Sequence, residues 1–182
     1  MISICNGFQT MVNLGILPGI NRNYNRRQTA LIDNDCGNFR NQWVNMTVIK
    51  NNPCVFTREM EQINLPVRHA EGKFFADQTV LKQLVDNNQI VLKYADPDGN
   101  PANGKFPFNP NGSLLDIAGI CDPTGRIFGL MPHPEAFNHF TNHPRWLMEK
   151  EFSKRKGRHQ KLVTGDGIKI FDNAVQFIQK EH

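Results

Sequence analysis

Apolar positions fall in short runs whose period changes along the chain, and each change marks an element. Ile2-Ser3-Ile4 reads as the end of a buried strand and Cys5-Asn6-Gly7 as a turn. Phe8 to Leu17 then predicts a helix, with Met11, Val12, Leu14 and Ile16 available for burial and Pro18-Gly19 as its stop. Asn21 to Arg27 is polar and reads as loop. From Thr29 to Val67 short strands broken by turn residues take over: Trp43 to Ile49 is one, closed by Asn51-Asn52-Pro53. Ile63 to Val67 is another, and Pro66 places it at a sheet edge or near its own end, because proline cannot donate to a ladder.

Gln78 to Asn87 returns to helical spacing, with Val80, Leu81, Leu84 and Val85 on one face. Ile90 to Tyr94 is a strand. Two turn-rich connections follow, Asp96 to Asn100 and Phe108 to Ser113. Ile117 to Cys121 and Arg126 to Met131 flank Asp122-Pro123-Thr124-Gly125, which predicts a β-hairpin. Trp146 to Phe152 predicts a helix, a basic linker comes next, and Gly167 to Gln179 closes the chain as a helix with Ile168, Phe171, Val175 and Ile178 in register. Alternating strands and helices over 1–182 imply one α/β domain.

Composition narrows the classes without changing that picture. With 39% hydrophobic and 21% charged residues among 182, the chain can bury a core and is not of disordered composition. No apolar run reaches the roughly 20 residues that cross a bilayer, and no basic segment precedes the N-terminal apolar residues, so a cytoplasmic location is expected. The net charge of +4 is modest. Its clusters, Arg22 with Arg26 and Arg27 and the run Lys154 to His159, read as solvated faces; a nucleic-acid site would want interleaved stacking aromatics, and around the second run only Phe152 is near. Four cysteines without a C-x-x-C pair give no zinc pattern, and no metal site is expected. Cys36, Cys54 and Cys121 read as small buried hydrophobes.

Cys5 differs, because a strand running into Cys-x-Gly and a helix puts the thiol on a sharp turn. The helix N-terminus offers free backbone N–H groups and a positive dipole end, which favour a thiolate and hold an oxyanion. Gly7 is expected to be required there, since a side chain would crowd the turn. A thiol attacking an amide also needs a base that later serves as acid, the task histidine performs near neutral pH. Among six histidines, His159 and His182 sit in a basic linker and at the terminus and read as surface residues. His133 lies in Met131-Pro132-His133-Pro134-Glu135, where two prolines favour extended backbone, so that His133 and Glu135 are expected to project together at i and i+2. His69 with Glu71 is a rival pair of the same spacing.

The string Ile4-Cys5-Asn6-Gly7-Phe8-Gln9 resembles the G-x-C-x-G-x-Q elbow of class I glutamine amidotransferases, with Ser3 in place of the first glycine. Its I-C-N-G-F-Q form is similar to that of the glutaminase parts of phosphoribosylformylglycinamidine synthases. So are Arg68-His69-Ala70-Glu71-Gly72, Asn109-Pro110-Asn111-Gly112-Ser113, Asp116 to Ile120, and Gly129 to Glu135. The resemblance implies a flavodoxin-like domain, here apparently lacking its N-terminal strand-helix units. It implies a Cys5-His133-Glu135 triad acting on L-glutamine, with the Asn6 N–H at the oxyanion and Gln9 as a glutamine contact. Asn34 to Arg40 falls where the family holds its substrate.

It also implies ammonia delivery to a large ATP-binding synthase subunit, assisted by a small accessory subunit, in purine biosynthesis. No P-loop occurs in this chain, so no cofactor is expected on it, and ATP and Mg are expected on the partner. Two other readings stay open on sequence alone: a related cysteine hydrolase of the same fold, and a truncated, non-catalytic fragment acting only as a binding subunit.

Overall fold

The computed structural model describes residues 1–157 and 164–181. Among the described residues, eight strands and four α-helices run β1 (Ile2–Ile4), α1 (Asn6–Asn13), β2 (Ala30–Asp33), β3 (Arg40–Val48), β4 (Gln62–His69), β5 (Glu71–Phe75), α2 (Gln78–Asp86), β6 (Ile90–Ala95), β7 (Ile117–Cys121), β8 (Phe128–Leu130), α3 (Trp146–Arg155) and α4 (Ile168–Glu181). Six strands form one sheet in the order β1-β8-β7-β6-β3-β4, and β2 pairs with β5 in a separate antiparallel ribbon.

The expected hairpin is present: β7 and β8 pair antiparallel through Gly119–Leu130, Ile120–Gly129 and Cys121–Phe128. The β4 strand lies at the sheet edge, as Pro66 predicts, with Pro66 opposite Trp43 of β3. At the other edge β1 pairs parallel with β8, Ile2 opposite Phe128, Ser3 opposite Gly129 and Ile4 opposite Leu130. The other pairings in this sheet are antiparallel.

Two apolar clusters cover the sheet. One gathers Phe8, Met11 and Val12 of α1 and Val80, Leu81 and Leu84 of α2 with Ile90, Ile117, Ile120 and Met131. The other collects Val44, Met46, Leu65, Val67, Leu92, Tyr94, Phe128 and Leu130 beneath Phe56 and Ile170.

Several local expectations change. The α1 helix begins one residue past Cys5 and ends at Asn13, and Leu14 is 61% exposed. Arg68 and His69 end β4, and Glu71 and Gly72 open β5. Cys54 and Cys121 are buried as expected, but Cys36 is only half-buried, and its sulfur accepts the Arg40 Nε–H at 3.0 Å. The terminal helix extends to Glu181, while His159 and His182 lie outside the described residues. Among the described residues, no helix is long and apolar enough to cross a membrane.

Candidate active site

Cys5 caps the N-terminus of α1 with φ 51° and ψ −111°, a left-handed φ that is costly for a non-glycine residue. Strand pairing and helix hold it there: the Cys5 N–H donates to Leu130 O at 2.9 Å, and the Gln9 N–H donates to Cys5 O at 3.0 Å. The result is a strained strand-to-helix turn that presents a sulfur beside the first, intrahelically unpaired N–H groups of α1.

The tight contact that seats this helix is not at Gly7. A Cβ on Gly7 would meet Ser3 Cβ at 3.6 Å, an ordinary contact, so crowding does not require glycine there. Gly129 is where space runs out: a Cβ would stand 2.2 Å from Phe8 Cδ2 and 2.7 Å from Leu17 Cδ1. Ser3 fits at its position because its hydroxyl donates to Phe128 O at 3.1 Å.

His133 follows β8 at the same end of the sheet, and its N–H donates to Pro66 O of β4 at 2.9 Å. Its Nδ1 lies 2.6 Å from Glu135 Oε1. The expected pair therefore forms, but not by strand alternation. Glu135 sits in a 3-10 turn, Pro134–Phe137, and it is this turn that brings the carboxylate under the ring. Trp43 packs edge-on against Phe137 at 5.0 Å, and the Gly165 and Gly167 N–H groups donate to Asn138 O and Phe137 O, fixing the turn from behind.

A carboxylate against Nδ1 makes that nitrogen the protonated one and leaves Nε2 to face the thiol. Nε2 is buried and has no hydrogen-bond partner in this state. Nevertheless, the His133 pKa is raised above the ordinary imidazole value, first by Cys5, against the opposing effect of burial, with further help from Glu135. Thiol and ring thus face one groove with no hydrogen bond formed between them. The Cys5 sulfur meanwhile lies 3.8 Å from Arg68 O and 4.0 Å from Asn6 Oδ1.

Cys5, Asn6, Gln9 and His133 share one groove of about 530 Å3, with Ile4, Phe39 and residues 68–71 as the other walls. Gln9 is tied down there, its Nε2 donating to Glu71 O at 2.7 Å. The rival pair of His69 and Glu71 does not form. His69 turns Nδ1 to Asn34 Oδ1 at 3.1 Å, and burial, with His133 nearby, lowers its pKa to about 4.

The wall is braced from behind by Asn34 and by the Asn109–Ser113 string, whose burial the sequence did not reveal. Asn34 Oδ1 also accepts the Gly72 N–H at 3.1 Å, while Gly72 O accepts from Asn111 Nδ2 at 2.8 Å. Asn111 Oδ1 accepts the Ser113 hydroxyl at 2.8 Å, and Asn109 Nδ2 donates to Asp116 Oδ1 at 2.8 Å. The Asn109-Pro110-Asn111-Gly112-Ser113 string is therefore a buried polar knot behind the groove. Among the described residues no group of three or more His, Cys, Asp or Glu is arranged to hold a metal ion.

Residues 1–178 match the CobB/CobQ-like glutamine amidotransferase domain. The chain is 43% identical over 182 residues to phosphoribosylformylglycinamidine synthase subunit PurQ of Methanococcus maripaludis, covering 99% of this chain and 66% of the relative. It is 42% identical over 180 residues to the subunit of that name from Dehalococcoides mccartyi, with 99% and 64% covered. A solved structure described as PurLQS from Thermotoga maritima superposes with a TM-score of 0.62 at 27% identity, over 97% of this chain and 61% of that one. The chain thus spans about two thirds of the length of the curated relatives it matches.

Proposed function

The chain belongs to the CobB/CobQ-like glutamine amidotransferase family and has its α/β class I fold; from that premise we propose that it is the glutaminase component of a phosphoribosylformylglycinamidine synthase, hydrolysing L-glutamine through Cys5, His133 and Glu135. The observation that carries the reading is the placement of Cys5 and His133 on one groove with Glu135 Oε1 2.6 Å from His133 Nδ1.

In this scheme His133 Nε2 takes the Cys5 proton, and the thiolate adds to the side-chain carbonyl carbon of glutamine. The oxyanion forms against the Asn6 N–H at the head of α1. His133 returns the proton to nitrogen as the C–N bond breaks, which releases ammonia and leaves a γ-glutamyl thioester on Cys5. Water then adds to the thioester, its proton passing to His133, and glutamate leaves as the thiol re-forms. Glu135 steadies the imidazolium in both halves. Gln9 and Phe39 line the groove on the side assigned to incoming glutamine.

The ammonia serves a partner that activates formylglycinamide ribonucleotide with ATP, a large subunit that holds ATP and Mg and works with a small accessory subunit. The relative described as PurLQS motivates that assignment. A second reading is a binding subunit without turnover.

Glutamate release from L-glutamine, measured on the chain alone and with the synthase subunits, separates the two. Cys5→Ala is expected to abolish release while ammonia-dependent synthesis by the assembly persists. Undiminished glutamine turnover in Cys5→Ala refutes the assignment.

A further inference from the structure

The wall opposite the elbow holds a polar atom that the scheme above does not use. His69 is 4% exposed, lines the Cys5 groove, and has an Nε2 without a hydrogen-bond partner. A buried polar atom with no partner is a cost that folded proteins rarely keep without a use.

The state of that nitrogen follows from Asn34. Its Nδ2 donates to two carbonyls, Asn38 O at 3.0 Å and His69 O at 2.9 Å, and its Oδ1 accepts the Gly72 N–H at 3.1 Å. Turning the amide over would set oxygen against two oxygens and N–H against N–H, so its orientation is fixed by the network. The atom facing His69 Nδ1 at 3.1 Å is therefore an acceptor. His69 must carry its proton on Nδ1, and Nε2 is a bare lone pair. The ring also stays neutral near pH 7, since burial and the neighbouring His133 lower its pKa to about 4.

We propose that His69 Nε2 accepts one N–H of the substrate carboxamide, so that the site selects a primary amide and turns the nitrogen's lone pair towards His133. The inference rests on the glutaminase reading and extends it to substrate discrimination. It accounts for two needs of the reaction at once. During collapse of the tetrahedral intermediate, the nitrogen lone pair must meet the proton on His133 Nε2, and an N–H anchored on His69 restricts its rotation. After hydrolysis the γ-carboxylate of glutamate has no N–H, so it sets oxygen lone pairs against a nitrogen lone pair and is released.

The test compares kcat/KM for L-glutamine with that for L-glutamate γ-methyl ester, which forms the same thioester but offers no N–H. In His69→Asn the shorter amide keeps a donor for Asn34 at the Nδ1 position and removes the acceptor. We expect the amide value to fall about 3- to 10-fold, the cost of one neutral hydrogen bond, with the ester value unchanged within twofold. Equal losses for both substrates would mean that His69 only braces the wall, and the proposal fails.

A second measurement needs no change at position 69. In Cys5→Ala labelled with 15N-histidine, His69 should show an unprotonated Nε2 at pH 7, and its resonance should move upfield as glutamine saturates the site. A protonated Nε2, or no movement at saturation, overturns the proposal whether or not the chain turns over. Failure of the parent reading looks different: glutamine is then hydrolysed as well by Cys5→Ala as by the native chain.

Discussion

Gly129 and Gly7 are both glycines of the elbow region, and substituting each by alanine separates two accounts of what holds Cys5 in place. An alanine Cβ at 129 would overlap Phe8 at 2.2 and 2.6 Å and Leu17 at 2.7 Å. Carbon atoms pack at roughly 3.5–4.0 Å, so every one of these contacts is short by about an ångström. Neither neighbour has room to yield, Phe8 being 1% exposed and Leu17 0%. Overpacking of this kind costs about 1–3 kcal/mol, and the severity of the overlap argues for the upper end. At Gly7 the new Cβ meets only Ser3 Cβ at 3.6 Å, and the backbone φ is not positive. Alanine exceeds glycine in helix propensity by about 1 kcal/mol at most, so Gly7→Ala should be neutral to slightly stabilising.

The two variants should therefore differ by about 2–4 kcal/mol, worked from those two terms. Urea unfolding followed by far-ultraviolet circular dichroism measures the difference. For a chain of this size each kcal/mol corresponds to about 2–4 °C in the thermal midpoint. Gly129→Ala should also depress glutamine turnover, because α1 carries Asn6 and Gln9. If Gly7→Ala loses as much stability as Gly129→Ala, the packing argument is wrong and the elbow itself demands its glycine.

Three further outcomes follow from the site. Removing the carboxylate in Glu135→Gln should lower the pH at which His133 titrates by NMR, since Glu135 is one of the groups raising its pKa; an unchanged titration refutes the pairing. His69 binds no proton in the folded chain until about pH 4, whereas an unfolded histidine does so near 6.5, so its contribution is present above pH 6.5 and is lost as pH falls to about 4. That linkage amounts to at most about 3 kcal/mol, read as the difference in acid sensitivity between wild type and His69→Asn, and equal sensitivity counts against it. At Cys36 partial desolvation opposes ionisation, but Asn38 and the Arg40 guanidinium outweigh it and lower the pKa, so Arg40→Ala should slow alkylation of Cys36 by iodoacetamide at pH 7.5.

What could be read in the sequence depended on whether a residue's type betrayed its environment. The β7–β8 hairpin and the edge position of β4 were legible, because apolar runs around Asp122 to Gly125 and a proline in a strand have few other uses. The pairing of His133 with Glu135 was also legible, but its geometry was not. Two prolines favour extended backbone, while packing of Phe137 against Trp43 draws the segment into a 3-10 turn.

The buried knot of Asn34, Asn109, Asn111, Ser113 and Asp116 was hidden for a related reason. Asparagine, glycine and serine are the vocabulary of exposed turns, and composition does not distinguish a turn facing water from one folded under a wall. Cys36 misled in the opposite direction. Nothing in its neighbours reveals that Arg40, four residues on, comes back across the turn to its sulfur.

The parallel pairing of β1 with β8 has a consequence for distance. The nucleophile leaves the end of one strand and the base follows the end of the other, and both strands run the same way. Three matched pairs, Ile2–Phe128, Ser3–Gly129 and Ile4–Leu130, therefore act as a ruler between sulfur and imidazole. A slip of one residue would shift the two groups by about 3.3 Å, enough to part any hydrogen-bonded pair. The reach between Cys5 and His133 is thus calibrated in whole residues by the pairing of β1 with β8, and tilting α1 or the turn at Glu135 adjusts it more finely.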